Sequence, residues 1–163
     1  MNLETWELLS YVVTVVGLPL AITVFIFEQR KERQNEEEAV YESIFDNYQE
    51  FLRVVLEHPD LHLFSMTKTP ALTEEQHERM TILFSMLISL FERAYLLLYE
   101  EKANGPKQHR WSSWEDFMRE WCAREDFRDM LDSLLVGEDA DFSAYIRNLA
   151  IEAERAEALA AHA

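Results

Sequence analysis

His58 and His62 stand four residues apart with Asp60 between them, and they are the first side chains in this chain whose types and spacing could do chemistry. At i and i+4 on one helical face, two imidazoles can share a zinc ion. Pro59 spoils that face, because the residue before a proline is pushed out of the αR region. No H-E-x-x-H motif is present and three donors make an incomplete shell, so the pair reads as loop histidines. Asp126, Asp129 and Asp132 recur every third residue and line up along one helix; opposite Phe127, Met130, Leu131 and Leu134 they read as a solvated face. Glu138, Asp139 and Asp141 lack the alternating order of a calcium loop, and Asp141 reads as a helix N-cap. Trp111, Trp114 and Trp121, with Phe117, crowd three indoles into eleven residues, which suits a core or a binding surface, core packing being the preferred reading. Glu92-Arg93 interrupts an apolar helix and marks either a subunit contact or a neutralised pair at the core edge. Glu92, Arg93, Trp111 and Trp114 are therefore the candidate partner or oligomer contacts. No catalytic residue, cofactor or metal is expected.

The elements that must carry these residues begin with Leu8 to Phe27, twenty residues without a charge. At 1.5 Å per helical residue the run is about 30 Å long, the thickness of a bilayer's hydrocarbon core. Glu4 and Glu7 precede it, and Arg30, Lys31 and Arg33 follow it closely. Positive charge beside a span stays in the cytoplasm, which predicts residues 1–7 outside and the long C-terminal part inside. Trp6 and Tyr11 suit the outer interface, and Arg30, Lys31 and Arg33 the lipid headgroups. The acidic start and the absence of a small-residue cleavage site argue for a retained anchor rather than a signal peptide.

With three Gly and four Pro, the chain has few places to turn. Residues 28–40 are polar all round and read as a juxtamembrane stalk; Tyr41, Ile44, Tyr48, Phe51 and Val55 then recur at helical spacing up to a stop at Pro59. Thr73 to Gln76 forms a capping box for a helix that runs to about Ala103, ended by Asn104-Gly105-Pro106. Met80 to Tyr99 is nearly all apolar, but Glu92-Arg93 interrupts it, so it reads as the central buried helix. A third helix is expected from Ser112, with a second capping box to Glu115, and a fourth over residues 126–136 with Gly137 as C-cap. The last starts near Asp141 or Ser143, and its tail, residues 151–163, reads as frayed or packed on a partner. The expectation is an all-α protein: a transmembrane helix over 8–27, a stalk, and a cytosolic helical bundle over 41–150.

Charge limits the partners. The formal charge is −16, and −14 remains once Glu4 and Glu7 are set aside. A surface of that sign repels phosphate backbones, so no nucleic-acid partner is expected. Membrane lipid, a second copy of the chain, and an unidentified protein are the partners expected. Cys122 is the sole cysteine, which excludes an intrachain disulfide.

Arg53 and His58 match the R-x4-6-H pattern of HEPN-type RNases, and that resemblance implies the two residues meeting their dimer mates to cleave RNA. The pattern is permissive: with 11 Arg and 5 His, about one match arises by chance. A second match runs from Arg155 to His162. More broadly, the N-terminal span, the RKER boundary, LEHPDL, LFERAYLLLYE, WSSWEDF and GEDADFSAYI resemble a group of small, uncharacterised bacterial single-pass membrane proteins. In layout alone the chain is similar to the membrane-pore effector of type VI CRISPR systems. The resemblance implies a bacterial inner-membrane protein with a cytoplasmic helical domain. The reading that follows is a non-catalytic, membrane-anchored interaction or oligomerisation module, with a homo-oligomeric pore or defence effector and a HEPN-like RNase as alternatives.

Overall fold

The computed structural model describes residues 3–65, 67–101 and 104–160, with side chains described from Val15 onward apart from those of residues 16 and 106. The chain is all-helical: five α-helices, one 3-10 turn, and no strand among the described residues. They are α1 (Leu3–Leu56), the turn Pro59–Leu61, α2 (Glu74–Leu98), α3 (Pro106–Cys122), α4 (Glu125–Leu134) and α5 (Ala140–Ala160). Contacts divide it into two compact units, Met1–Val40 and Tyr41–Ala163.

Among its described residues the first unit is helix alone. Val15, Leu18, Leu20, Ile22, Val24, Phe25, Ile26 and Phe27 are all exposed, on every side of the helix. Pro19 lies inside it. A proline there removes a backbone donor, and the Thr23 hydroxyl donates to the Pro19 carbonyl at 2.7 Å. Arg30, Lys31 and Arg33 are exposed on the same helix. The side chains of Trp6 and Tyr11 lie outside those described.

In the second unit the end of α1 buries Ile44, Tyr48, Phe51 and Val55, the stripe its spacing predicts. The helix stops at Leu56, where Pro59 denies it another turn. Thr73 opens α2 through a complete capping box: Gln76 N–H donates to Thr73 Oγ1 and Thr73 N–H to Gln76 Oε1. Phe84, Leu87, Ile88, Phe91 and Ala94 of α2 are fully buried, and α2 packs against α3, α4 and α5. Among the described residues α2 is the helix long and apolar enough to cross a bilayer, and 39% of its most apolar window is buried. One face of it is core; the opposite face keeps Ile82, Met86, Leu96 and Leu97 exposed.

Four boundaries differ from expectation. Helix α2 ends at Leu98, not near Ala103, because Tyr99 takes an extended conformation (φ −71°, ψ 126°). Asn104-Gly105-Pro106 therefore opens α3 instead of closing α2. Gly105 sits at φ 65°, where a side chain would be strained, and Pro106 occupies the first turn, where its missing N–H costs nothing. Ser112 is mid-helix as a result, its hydroxyl donating back to the His109 carbonyl rather than capping. Gly137, at φ 96°, lies two residues beyond the Leu135 C-cap of α4. Asp139, not Asp141, caps α5, its Oδ1 accepting from the Asp141 and Phe142 amides at 3.0 and 2.9 Å. The last helix continues to Ala160, tied by Arg119–Glu152 and Arg128–Glu157 ion pairs at 2.6 Å.

Candidate functional site

Arg53 and His58 do not form a site within the chain. Arg53 is on the exposed face of α1, paired with Glu50 at 3.1 Å. His58 is half-buried past the helix end, its amide donating to the Val55 carbonyl. His62 is exposed and left-handed (φ 46°), turned away from helical spacing by the Pro59–Leu61 turn. Asp60 accepts from Gln76 Nε2 at 2.8 Å and faces Arg79, and those partners hold its carboxyl below its ordinary range.

Trp111, Trp114 and Trp121 are core. Trp114 is fully buried, Trp111 is 7% exposed and Trp121 2%, so neither candidate contact, Trp111 or Trp114, offers indole surface to a partner. Tyr48 stacks on Phe117 at 4.7 Å and meets Trp114 edge-on at 5.7 Å; Phe51, Phe84 and Phe127 surround Trp121. Trp121 Nε1–H donates to the Tyr48 hydroxyl at 3.4 Å, and burial pushes the Tyr48 phenol up. Trp114 Nε1–H is buried with no acceptor, a cost of about 1–3 kcal/mol that the packed rings must offset. A second cluster joins Tyr95 and Tyr99 of α2 and its end with Trp111 and Tyr145. There Glu115 is disfavoured by burial, but hydrogen bonds from Arg119 and Tyr145 more than offset it and leave its carboxyl below the ordinary range.

Glu92 and Arg93 part company. Glu92 is half-buried and accepts the Asp139 amide at 2.5 Å, which pins the α4–α5 turn to α2. Its carboxylate also hydrogen-bonds Glu138, and together with partial burial this pushes the Glu138 carboxyl up to about 7. Arg93 faces solvent and makes no ion pair with Glu92.

The strongest polar constellation is one that spacing did not suggest. Arg124, 2% exposed, stands at the N-cap position of α4 without capping it and spreads its guanidinium among buried acceptors. Nε and Nη2 donate to Asp126 at 3.0 and 2.6 Å, a two-pronged pair. Nη1 donates to the carbonyls of His62, Leu63 and Ser65 at 2.9, 2.9 and 2.6 Å, and Nη2 also reaches Thr69 Oγ1 at 3.3 Å. Asp126, 6% exposed, accepts the Thr69 and Phe127 amides as well. Thus Asp126 is no solvated residue, whereas Asp129 and Asp132 are, pairing with Lys68 and Arg147. The carbonyls that Arg124 gathers belong to an irregular loop, and one of them is that of left-handed His62, a conformation that costs roughly 1–2 kcal/mol. The guanidinium thus replaces the hydrogen bonds that a regular element would supply. Its sequence signal was an Arg two residues before an Asp at a helix start, too common a pattern to single out. Chemically the arrangement is closed: every carboxylate oxygen and every prong of the fork is directed at protein, with none left for a substrate.

The two helices α4 and α5 flank a groove of about 710 Å³ whose rim carries Glu125, Asp129, Asp132, Glu154 and Glu157 beside Arg128 and Arg147. Arg128 is already held by the Cys122 and Ala123 carbonyls and by Glu157. Cys122 is fully buried, and burial pushes its thiol up to about 12, far from a nucleophile's range.

Compared with known protein families, curated proteins and solved structures, the chain finds no match.

Proposed function

We propose that the protein is a non-catalytic, membrane-anchored helical module that self-associates or recruits a protein partner at the cytoplasmic face of a bacterial inner membrane. The observation that carries this reading is the first unit. Its described apolar side chains, Val15 to Phe27, are exposed all round the helix and have no cover within their own unit. Water penalises such a surface and lipid does not. Arg30, Lys31 and Arg33, exposed on the turns after Phe27, favour an N-terminus outside and a C-terminal domain inside. In this reading residues 8–27 are the single span, the polar turns to Val40 are the stalk, and the second unit is a cytosolic bundle.

A role without chemistry is supported by the employment of the polar groups. Arg124 and Asp126 hold a loop, Glu92 and Asp139 hold a turn, and Arg53 pairs with its helix neighbour. The test is a topology and assembly experiment in bacterial membranes. A reporter fused after Ala163 behaves as cytoplasmic, the mature chain keeps residues 1–27, and chemical cross-linking captures species larger than the monomer. Periplasmic reporter activity, or loss of residues 1–27 by cleavage, would overturn the reading.

A further inference from the structure

The apolar face that α2 turns away from the core is self-complementary over its middle, from Glu78 to Arg93. Ile82, Met86, Leu96 and Leu97 are 55%, 44%, 58% and 52% exposed, and Ser85 and Ser89 lie between them on the same face. Two opposite charges, Glu78 and Arg93, complete the row; both are exposed, and neither makes an ion pair or side-chain hydrogen bond among the described residues. From the geometry we infer that this face takes a second copy of the chain, with the two α2 helices antiparallel about a two-fold axis between Ser85 and Met86.

That axis follows from the residues. A two-fold interface sets each position i against one position j, and j against i. With the axis between Ser85 and Met86, Arg93 falls opposite the partner subunit's Glu78, so the two free charges of the face neutralise each other twice. The same register sets Ile82 against Ser89 and Met86 against Ser85, bulky side chains over small ones, which lets helix axes come close; Leu96 and Leu97 fall opposite the partner subunit's Glu75 and the partner subunit's Glu74 and lie beyond the contact. A lipid surface is the less suitable occupant. The exposed charges bordering the face at its two ends include Glu74, Glu75 and Glu100, the sign an anionic leaflet repels. Two half-exposed apolar side chains, Ile82 and Met86, fall well short of the roughly 800 Å² per partner of a stable soluble dimer. The inference therefore rests on the anchored reading above, in which confinement to a membrane supplies the concentration that area does not.

The experiment uses the full chain in native membranes. Cys122 is buried, so single cysteines introduced on the face report alone. Under oxidation Ser85→Cys, next to the axis, forms a disulfide-linked dimer, whereas Leu96→Cys does not, since its two copies lie about 30 Å apart along the helices. Glu78→Arg or Arg93→Glu, each in the Ser85→Cys background, lowers the cross-linked fraction about tenfold by setting like charges together. The double exchange restores it, which also shows that neither single change has unfolded the chain. Equal cross-linking at Ser85→Cys and Leu96→Cys, or insensitivity to the charge exchanges, overturns the inference. So does quenching of a fluorophore on Leu96→Cys by brominated lipid, which identifies bilayer as the occupant. If Ser85→Cys gives no dimer while amine-reactive cross-linking still yields oligomers, the α2 inference falls and self-association stands. If both fail, self-association falls too.

Discussion

Arg124→Met removes the fork that holds the loop after α1 while keeping the side chain's length. Six protein acceptors lose the guanidinium as donor: the carbonyls of His62, Leu63 and Ser65, the hydroxyls of Ser65 and Thr69, and the Asp126 carboxylate. Asp126 is then a 6%-exposed carboxylate left with only the Thr69 and Phe127 amides. Breaking a buried pair from one side costs about 3–5 kcal/mol, because the remaining charge stays desolvated. Against a typical total of about 5–15 kcal/mol, that is a large fraction. The assay is urea unfolding of the full chain in mild detergent, followed by tryptophan fluorescence, since Trp114 and Trp121 are buried and respond to loss of the core. The expected result is a midpoint lowered by about 3–5 kcal/mol divided by the m value, with the slope unchanged. Arg147→Met, which removes a cation 45% exposed at its side chain from an acid 91% exposed, is the control and costs under about 1 kcal/mol. Arg124→Met with Asp126→Leu recovers part of the loss, because the orphaned charge is gone while the three carbonyls remain unserved. Arg124→Lys does not substitute, since an ammonium cannot span Asp126 and three carbonyls at once. A loss below about 1 kcal/mol for Arg124→Met, no larger than that of the control, would refute the assignment of Arg124 as the loop's anchor.

The pH dependence has a definite sign. Glu138 has its folded pKa raised to about 7 from an ordinary 4.5, so the folded chain binds a proton that the unfolded chain releases; stability falls as pH rises from about 4.5 through about 7. After discounting for its partial exposure the change is about 1–2 kcal/mol, and Glu138→Gln should flatten that segment of a stability-against-pH curve. Leu87→Asp sets a carboxylate at a fully buried site of α2 and costs several kcal/mol; a cooperative melt at the wild-type midpoint would contradict the core assignment. Thr73→Ala removes the oxygen that caps α2 and should cost about 1 kcal/mol by the same urea titration, while Ser112→Ala, expected from spacing to be a cap but lying mid-helix, should cost less than half of that.

Much of this protein is written in periodicity. The stripe Ile44, Tyr48, Phe51, Val55, the capping box at Thr73 and the central burial of Leu87 follow from spacing and from local donors seeking local acceptors, which depend on residues three or four apart. The uncharged run Leu8 to Phe27 and the basic residues after it are legible for the same reason: the proposed bilayer reads length and composition, not contacts. Boundaries around Asn104-Gly105-Pro106 were less legible, since Gly and Pro serve as stop or start signals alike and only the backbone angles of Gly105 choose between them. Arg124 and Asp126 lay beyond any sequence rule, because their partners sit 55 to 62 residues away in a loop without regular hydrogen bonds. The same holds for Glu92, which spacing put beside Arg93 and folding joined to Glu138 and Asp139. That Trp111, Trp114 and Trp121 offer no free face was also settled by packing alone. Sequence by itself determined the helices and which of their faces are apolar, because those are properties of neighbours along the chain. Tertiary structure decided which apolar face becomes core, which stays open on α2, and which charges are buried in pairs, because each of those depends on what arrives from elsewhere to cover it.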